Sequence, residues 1–241
     1  MENTDLLALL QLADSSFPSG AYTLSHGLET LVADGWVRGA DDLGQLVRTS
    51  LADRAAKADL PILLAAHALA TGPVDGPDKG PGHDAAIEAI TRLDRRIDTV
   101  KLAPEERDGS ARVGRRLLAE GARLFPGSVI PGYAAAVRSG FAPGHAAVAQ
   151  GLLFGAAGVG ARAAALAVAS GLASGILTAA MRLGLIGHGD AQRLLLEARP
   201  AIAAAVERAA VADPADLRPS APMLEIAVGR HARAEVRVFA S

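Results

Sequence analysis

An all-α fold is predicted by three observations: aromatic residues make up only 3% of the chain, Ala, Leu and Gly dominate it, and apolar residues recur at helical spacing in one segment after another. Small side chains let helices pack closely, whereas a β-sandwich of this size would draw on aromatic and β-branched residues. With 241 residues, half of them hydrophobic, the chain can bury one substantial core. The expected architecture is therefore a single-domain compact helical bundle over 1–212, followed by a tail at 213–241.

The first helix runs through Leu6, Leu7, Leu10 and Gln11, with Thr4 or Asp5 available as its cap. Ser, Pro and Gly between 14 and 20 end it. From Thr23 onward, Leu24, Leu28, Leu31 and Val32 fall on one face of a short helix that stops near Asp34 and Gly35. Asp41 and Asp42 open the next, with Leu43, Leu46, Val47 and Leu51 on its inner face, and Pro61 starts or kinks another. Residues 71–83 alternate Gly and Pro with almost nothing apolar, which predicts a mobile surface loop. Ile87, Ile90, Leu93 and Ile97 carry a further helix, and Pro104 with Glu105 and Glu106 suits the start of one whose basic face holds Arg112, Arg115 and Arg116. Pro126, Pro131 and Pro143 read as a looser connection. An Ala/Gly/Leu-rich helical pair over 145–186 and a helix from about 190 to 210 complete the body. Beyond the prolines at 214, 219 and 222, the tail keeps Leu224, Ile226, Val228, Val236, Val238 and Phe239, which would be idle unless they dock on a partner or form a last core element.

A formal charge of -2, from 24 basic and 26 acidic residues, leaves no broad electrostatic footprint for nucleic acid or an anionic membrane. The absence of cysteine excludes disulfides, thiolate metal sites and cysteine nucleophiles. The first residues lack a signal-peptide pattern, and a cytoplasmic location is expected.

Motifs for chemistry are incomplete. Gly158, Gly160 and Ala163 satisfy a dinucleotide-binding spacing, but no strand precedes them, so helix packing is the expectation. The pairs Gly151/Gly155 and Gly171/Gly175 likewise read as close helix contacts. The uncharged run 163–181 is as long as a bilayer span, yet its Ala, Gly and Ser content favours a buried helix. Six histidines are scattered without metal-ligand spacing; His26 and Glu29 lie one helical turn apart and could be ligands, a hydrogen bond on the helix surface being the expectation. Ser25 and His26 are adjacent and point apart on a helix, so they form no nucleophile–base pair. No enzyme site is complete, and no firmly bound cofactor or metal is expected. The rival classes are a small α-helical hydrolase with an unrecognised site and a membrane-associated helical protein.

The opening stretch, a leucine-rich helix followed by Phe17-Pro18-Ser19-Gly20-Ala21-Tyr22 and Ser25-His26-Gly27-Leu28-Glu29, resembles the urease accessory protein family UreF, with Ala21 where a second glycine is usual. Three further blocks recur in the family's order. Residues 98–118 carry Lys101-Leu102, Pro104-Glu105-Glu106-Arg107 and Gly114-Arg115; 145–195 is the Ala/Gly-rich pair closing on Arg182-Leu183-Gly184 and Gly187; the end holds Pro222-Met223-Leu224-Glu225-Ile226, His231 and Arg237-Val238-Phe239. His188 and Ala232 depart from the family's usual Gln and Glu. The resemblance implies an all-helical, dimeric, non-enzymatic scaffold that bridges UreD (also called UreH) on the urease apoprotein to the GTPase UreG, with nickel handled by the assembled complex. It further implies that Phe17, Pro18, Gly20, Tyr22, Ser25, His26 and Glu29 form one partner surface. Leu224, Ile226, His231, Arg237 and Phe239 would form another, on a tail that orders against UreD. Stimulation of GTP hydrolysis by an arginine in trans, Arg107 or Arg182, is a further expectation.

Overall fold

The computed structural model describes residues 2–71, 81–231 and 238–239. Among them it contains helices and turns with no strand: α1 (Asn3–Ala13), α2 (Leu28–Ala33), α3 (Ala40–Thr49), α4 (Asp59–Thr71), α5 (Pro81–Val100), α6 (Pro104–Leu124), α7 (Ile130–Arg138), α8 (Ala146–Ala156), α9 (Ala161–Arg182), α10 (His188–Ala210) and α11 (Pro222–His231). The all-α expectation is met. Most of the Gly/Pro loop, 72–80, lies outside the described residues, and α5 already begins at Pro81.

The centre is the α4–α8 pair, which forms the most extensive helix interface of the protein. Both helices are apolar on all sides, as helices enclosed by others must be. They approach closely because Gly151 and Gly155 face the α4 backbone: a Cβ on Gly151 would lie 2.9 Å from Ala66 Cβ, and one on Gly155 3.1 Å from the His67 carbonyl oxygen. On one side, α5 and α6 pack their apolar faces on this pair, with α7 resting on both, and Ile90, Ile97, Leu117, Leu118 and Tyr133 fill this half-core. On the other, α9 and α10 pack against the pair and carry α2 and α3, with α11 on α2, and this half-core gathers Leu28, Leu43, Ile176, Leu194 and Leu224 with Leu51 of the turn after α3. α4 serves both half-cores, with Leu60 and Leu63 turned one way and Ile62 and Ala66 the other.

One buried carboxylate ties the first side together. Asp94 of α5, fully buried, accepts the Tyr133 hydroxyl at 2.6 Å and the backbone N–H groups of Gly144 and His145 at 2.5 and 2.9 Å. It thereby takes up N–H groups at the start of α8 that helix geometry leaves without partners.

Several sequence expectations are corrected. The connection around Pro131 is the helix α7, because a proline in the first turn begins a helix rather than breaking it. The helix expected from Thr23 starts only at Leu28: Ala21–Thr23 is a 3-10 turn, and His26 and Gly27 have φ of 54° and 84°, a left-handed pair that no α-helix contains. Gly158 turns the chain between α8 and α9, and a Cβ on it would meet nothing within 4 Å, so it makes no helix contact. Gly171 is similarly open, so the α9 pair does not mirror that of α8. Among the described residues α9 is the one helix long and apolar enough to cross a bilayer, with a mean hydropathy of 1.8, but its Ala165, Ala169, Ala173, Ile176 and Ala180 are buried in the core.

Candidate functional site

The opening segment is built as a sequence of tight turns. The Asp14 carboxylate accepts the Ser16 N–H at 2.7 Å and starts the loop; Gly20, at φ 71°, turns it against Arg116; the Thr23 hydroxyl donates to the Gly20 carbonyl at 3.0 Å. Phe17 and Leu24 pack on the α5–α8 half-core, and Pro18 is exposed. Tyr22 is 71% exposed although its backbone is fixed from behind, where Arg182 Nη1 donates to its carbonyl at 2.9 Å. Ser25 is buried.

Glu29 does not share a helical face with His26. Its carboxylate turns to the other end of the chain and accepts three donors from there: His231 Nε2 at 2.8 Å, the Val238 N–H at 2.7 Å and the Phe239 N–H at 3.2 Å. Burial opposes ionisation of this carboxyl, but the bonds from Val238, His231 and Phe239 outweigh it and hold Glu29 below the usual carboxylate range. Gly27 makes the approach possible, since a Cβ there would sit 3.1 Å from Val228 Cγ2. Arg230 forms an ion pair with Asp34, and the Arg182 guanidinium stacks on the Phe239 ring at 4.3 Å.

The apolar residues at the end of the chain thus have a place on their own protein. Leu224, His231 and Phe239 are buried against α2 and α9, which corrects the expectation of a tail whose apolar side chains are free in the isolated protein; of the described residues singled out there Ile226 and Val238 are exposed, and Ala232, Val236 and Arg237 lie outside the described residues. The two arginines considered for action in trans are also engaged, Arg182 as above and Arg107 with the carbonyls of Lys101 and Leu102. His188 is exposed at the start of α10.

Behind the opening loop lies a cavity of about 590 Å³, walled by α1, α9 and the inner ends of α4, α6 and α8. Its inner end carries charged groups that sequence reasoning did not bring together. Arg54, on a π-helical turn (Ser50–Arg54), meets Glu106 at 2.5 Å and lies 3.9 Å from Glu225 of α11; Lys101 bridges Asp59 and Glu106, each at 2.9 Å. Burial penalises the charges of Arg54, Lys101 and Glu106, yet Lys101 and Arg54 hold Glu106 far below the usual carboxylate range, and Asp59 and Glu106 raise Lys101 in return. Glu225 is pushed up, first by burial and then by the Glu106 charge. His26 faces the same cavity, and burial together with the Arg54 charge lowers it to about 4, so it is neutral at pH 7. Lys101, Glu106 and Glu225 stand within blocks that carried the family resemblance, as does Arg182 outside the cavity; Arg54 and Asp59 have no signal of their own in the sequence.

Chemically, this is a set of closed ion pairs around a neutral imidazole. Among the described residues no three His, Asp or Glu side chains converge as metal ligands. The ion pairs join the turn at Arg54, the start of α4, the α5–α6 turn and α11.

A family model described as UreF matches residues 37–199. The urease accessory protein UreF 1 of Brucella melitensis is 32% identical over 234 residues, covering 97% of this chain and 92% of that protein. UreF 2 of Brucella abortus is 32% identical with coverage of 97% and 91%, and UreF of Yersinia enterocolitica is 28% identical over the full length of both chains.

Proposed function

This chain belongs to the UreF family of urease accessory proteins, and we propose on that premise that it is a non-enzymatic scaffold, bridging UreD-bound urease apoprotein to the GTPase UreG while nickel is inserted. In this reading it works in the cytoplasm as a homodimer, and nickel is cargo of the assembly, not a resident ion. The observation that carries the reading is Tyr22: the loop behind it is pinned by Arg182 and packs closely on Arg116 at Gly20, yet the ring itself is 71% exposed. A rigid backbone that presents an aromatic side chain to solvent has spent its order on recognition, because aromatic anchors contribute strongly to interfaces only when a partner desolvates them.

Glu29, which the family resemblance assigns to that surface, supports it indirectly by holding the chain's end behind the loop. The engaged state of Arg107 and Arg182 removes both as ready-made arginines for GTP hydrolysis, so modulation of UreG in this proposal proceeds through docking.

Light scattering on a sizing column tests the reading with the full chain, UreD and UreG. The Tyr22→Ala variant keeps its stability within about 0.5 kcal/mol, as exposed substitutions do, and forms the UreD complex but no longer recruits UreG. Recruitment of UreG at wild-type affinity by that variant refutes the role given to Tyr22; failure of the wild-type chain to bind UreD or UreG refutes the scaffold reading itself.

A further inference from the structure

Two buried polar atoms at the inner end of the cavity are unused by the scaffold reading. Ser50 is 1% exposed and lines the cavity, and its Oγ has no hydrogen-bond partner among the described residues. Glu106 receives both Arg54 and Lys101 on Oε1, which leaves Oε2 buried and equally without a partner. Buried polar groups are almost always satisfied, and each that is not points to something that binds there. The cavity's volume, about 590 Å³, is that of a small-molecule site, and Leu12, Phe17, Leu60, Val113, Leu153 and Leu172 give it apolar walls.

The charges select the head of the ligand. Arg54 and Lys101 already offset Asp59 and Glu106, and an added ammonium would meet those two cations while an added carboxylate would meet the two acids. What remains open is hydrogen-bonding capacity: an acceptor at Glu106 Oε2, and a hydroxyl at Ser50 that donates or accepts. We propose that this cavity binds a small neutral molecule with an apolar body and a primary amide or hydroxyl head, the head donating to Glu106 Oε2 and meeting the Ser50 hydroxyl.

Thermal melting of the full chain with hexanamide, hexanol, hexylamine and hexanoate reads this out. At about 100-fold over Kd, hexanamide and hexanol raise Tm by roughly 5 °C, with propanamide weaker, because ligand that binds only the folded state stabilises it by mass action. Hexylamine and hexanoate leave it unshifted. Ser50→Ala reduces the hexanamide shift by half or more while melting close to wild type. Ser174→Phe, which narrows the cavity from an exposed position of α9, abolishes the shift with the fold intact. Equal shifts from all four heads, or a hexanamide shift unchanged in both variants, would mean adsorption on surface leucines and overturn the proposal. So would the absence of any shift, which would leave the cavity to water alone.

Discussion

Glu29→Gln isolates the contact between the opening motif and the chain's end. The carboxylate accepts His231 Nε2 and the Phe239 N–H on one oxygen and the Val238 N–H on the other. A glutamine offers one acceptor and one NH2, so whichever way it is turned, an N–H donor faces the NH2. In the better orientation the Val238 bond is lost and the other two fall from charge-assisted to neutral strength. A hydrogen bond to a charged group contributes about 1.5–3 kcal/mol and a neutral one about 0.5–1.5. Val238 is exposed and rehydrates, which keeps the lost bond at the lower limit, and the side chain of Glu29 is 14% exposed, which trims the rest. The net cost is about 2–3 kcal/mol, falling on local opening of the end rather than on the core. At 1.4 kcal/mol per decade, the open population rises on the order of 30- to 140-fold. Native-state hydrogen exchange measures it: the amides of Val228 and Gly229 in α11 lose that much protection, while those of α8 keep theirs. Protection of α11 within threefold of wild type would show that Glu29 does not hold the chain's end.

Gly27→Ala places a side chain at φ 84°, which costs about 1–2 kcal/mol for an L-residue, and a Cβ 3.1 Å from Val228 Cγ2, so α11 is loosened along with global stability; calorimetry and exchange at α11 check both. Lys101→Met strips Asp59 of its ion-pair partner and leaves Glu106 to Arg54 alone, and costs about 3–5 kcal/mol, a fall in Tm on the order of 10 °C, partly restored by adding Asp59→Asn. The pH dependence has two windows. His26, lowered to about 4 from 6.5 by burial and by Arg54, binds its proton more readily in the unfolded chain, so stability present above 6.5 declines as pH falls from 6.5 toward 4. At 1.36 kcal/mol per unit the ceiling is about 3 kcal/mol, and solvent access through the cavity brings the expected loss to about 1–2. Glu106, held low, adds its own loss only below about 4.5. Urea melts of His26→Gly lose the fall in stability between pH 6.5 and 4.5, because the raised carboxyl of Glu225 contributes there with the opposite sign; a slope equal to wild type assigns that window elsewhere.

Periodicity made the long helices legible. Ile87, Ile90, Leu93 and Ile97 lie on the inner face of α5, and Pro104 begins α6 as its position and the two following acids suggest. The same signal misled at Thr23, where Leu24, Leu28 and Leu31 keep helical spacing across two left-handed residues; periodicity records which residues are buried, and a turn can bury Leu24 as well as a helix can. The charged end of the cavity was not legible, because Arg54, Asp59, Lys101, Glu106 and Glu225 come from separate stretches and each alone resembles a solvated surface charge. The destination of the chain's end was ambiguous for a different reason. Apolar residues there require burial, but hydrophobicity carries no direction and does not distinguish the chain's own surface from a partner's.

That ambiguity bears on how the protein presents itself. The opening and closing blocks, 202 residues apart at Glu29 and His231, satisfy each other's polar groups. Arg182 joins the same arrangement from α9, with one nitrogen on the Tyr22 carbonyl and its guanidinium over Phe239. Tyr22 is held outward by backbone that Arg182 and the turn at Gly20 support, and the Arg182 guanidinium in turn lies over the buried Phe239 ring. Exposure of Tyr22 in one fixed place therefore depends on the chain's end being seated, even though no residue of that end needs to touch whatever Tyr22 meets. A variant lacking the end would lose recognition at Tyr22 through a slackened loop, with the same phenotype as one whose end is itself the binding surface. The two differ in a single respect: Glu29→Gln, which unseats the end without removing any of its side chains, impairs recognition only if seating is what counts.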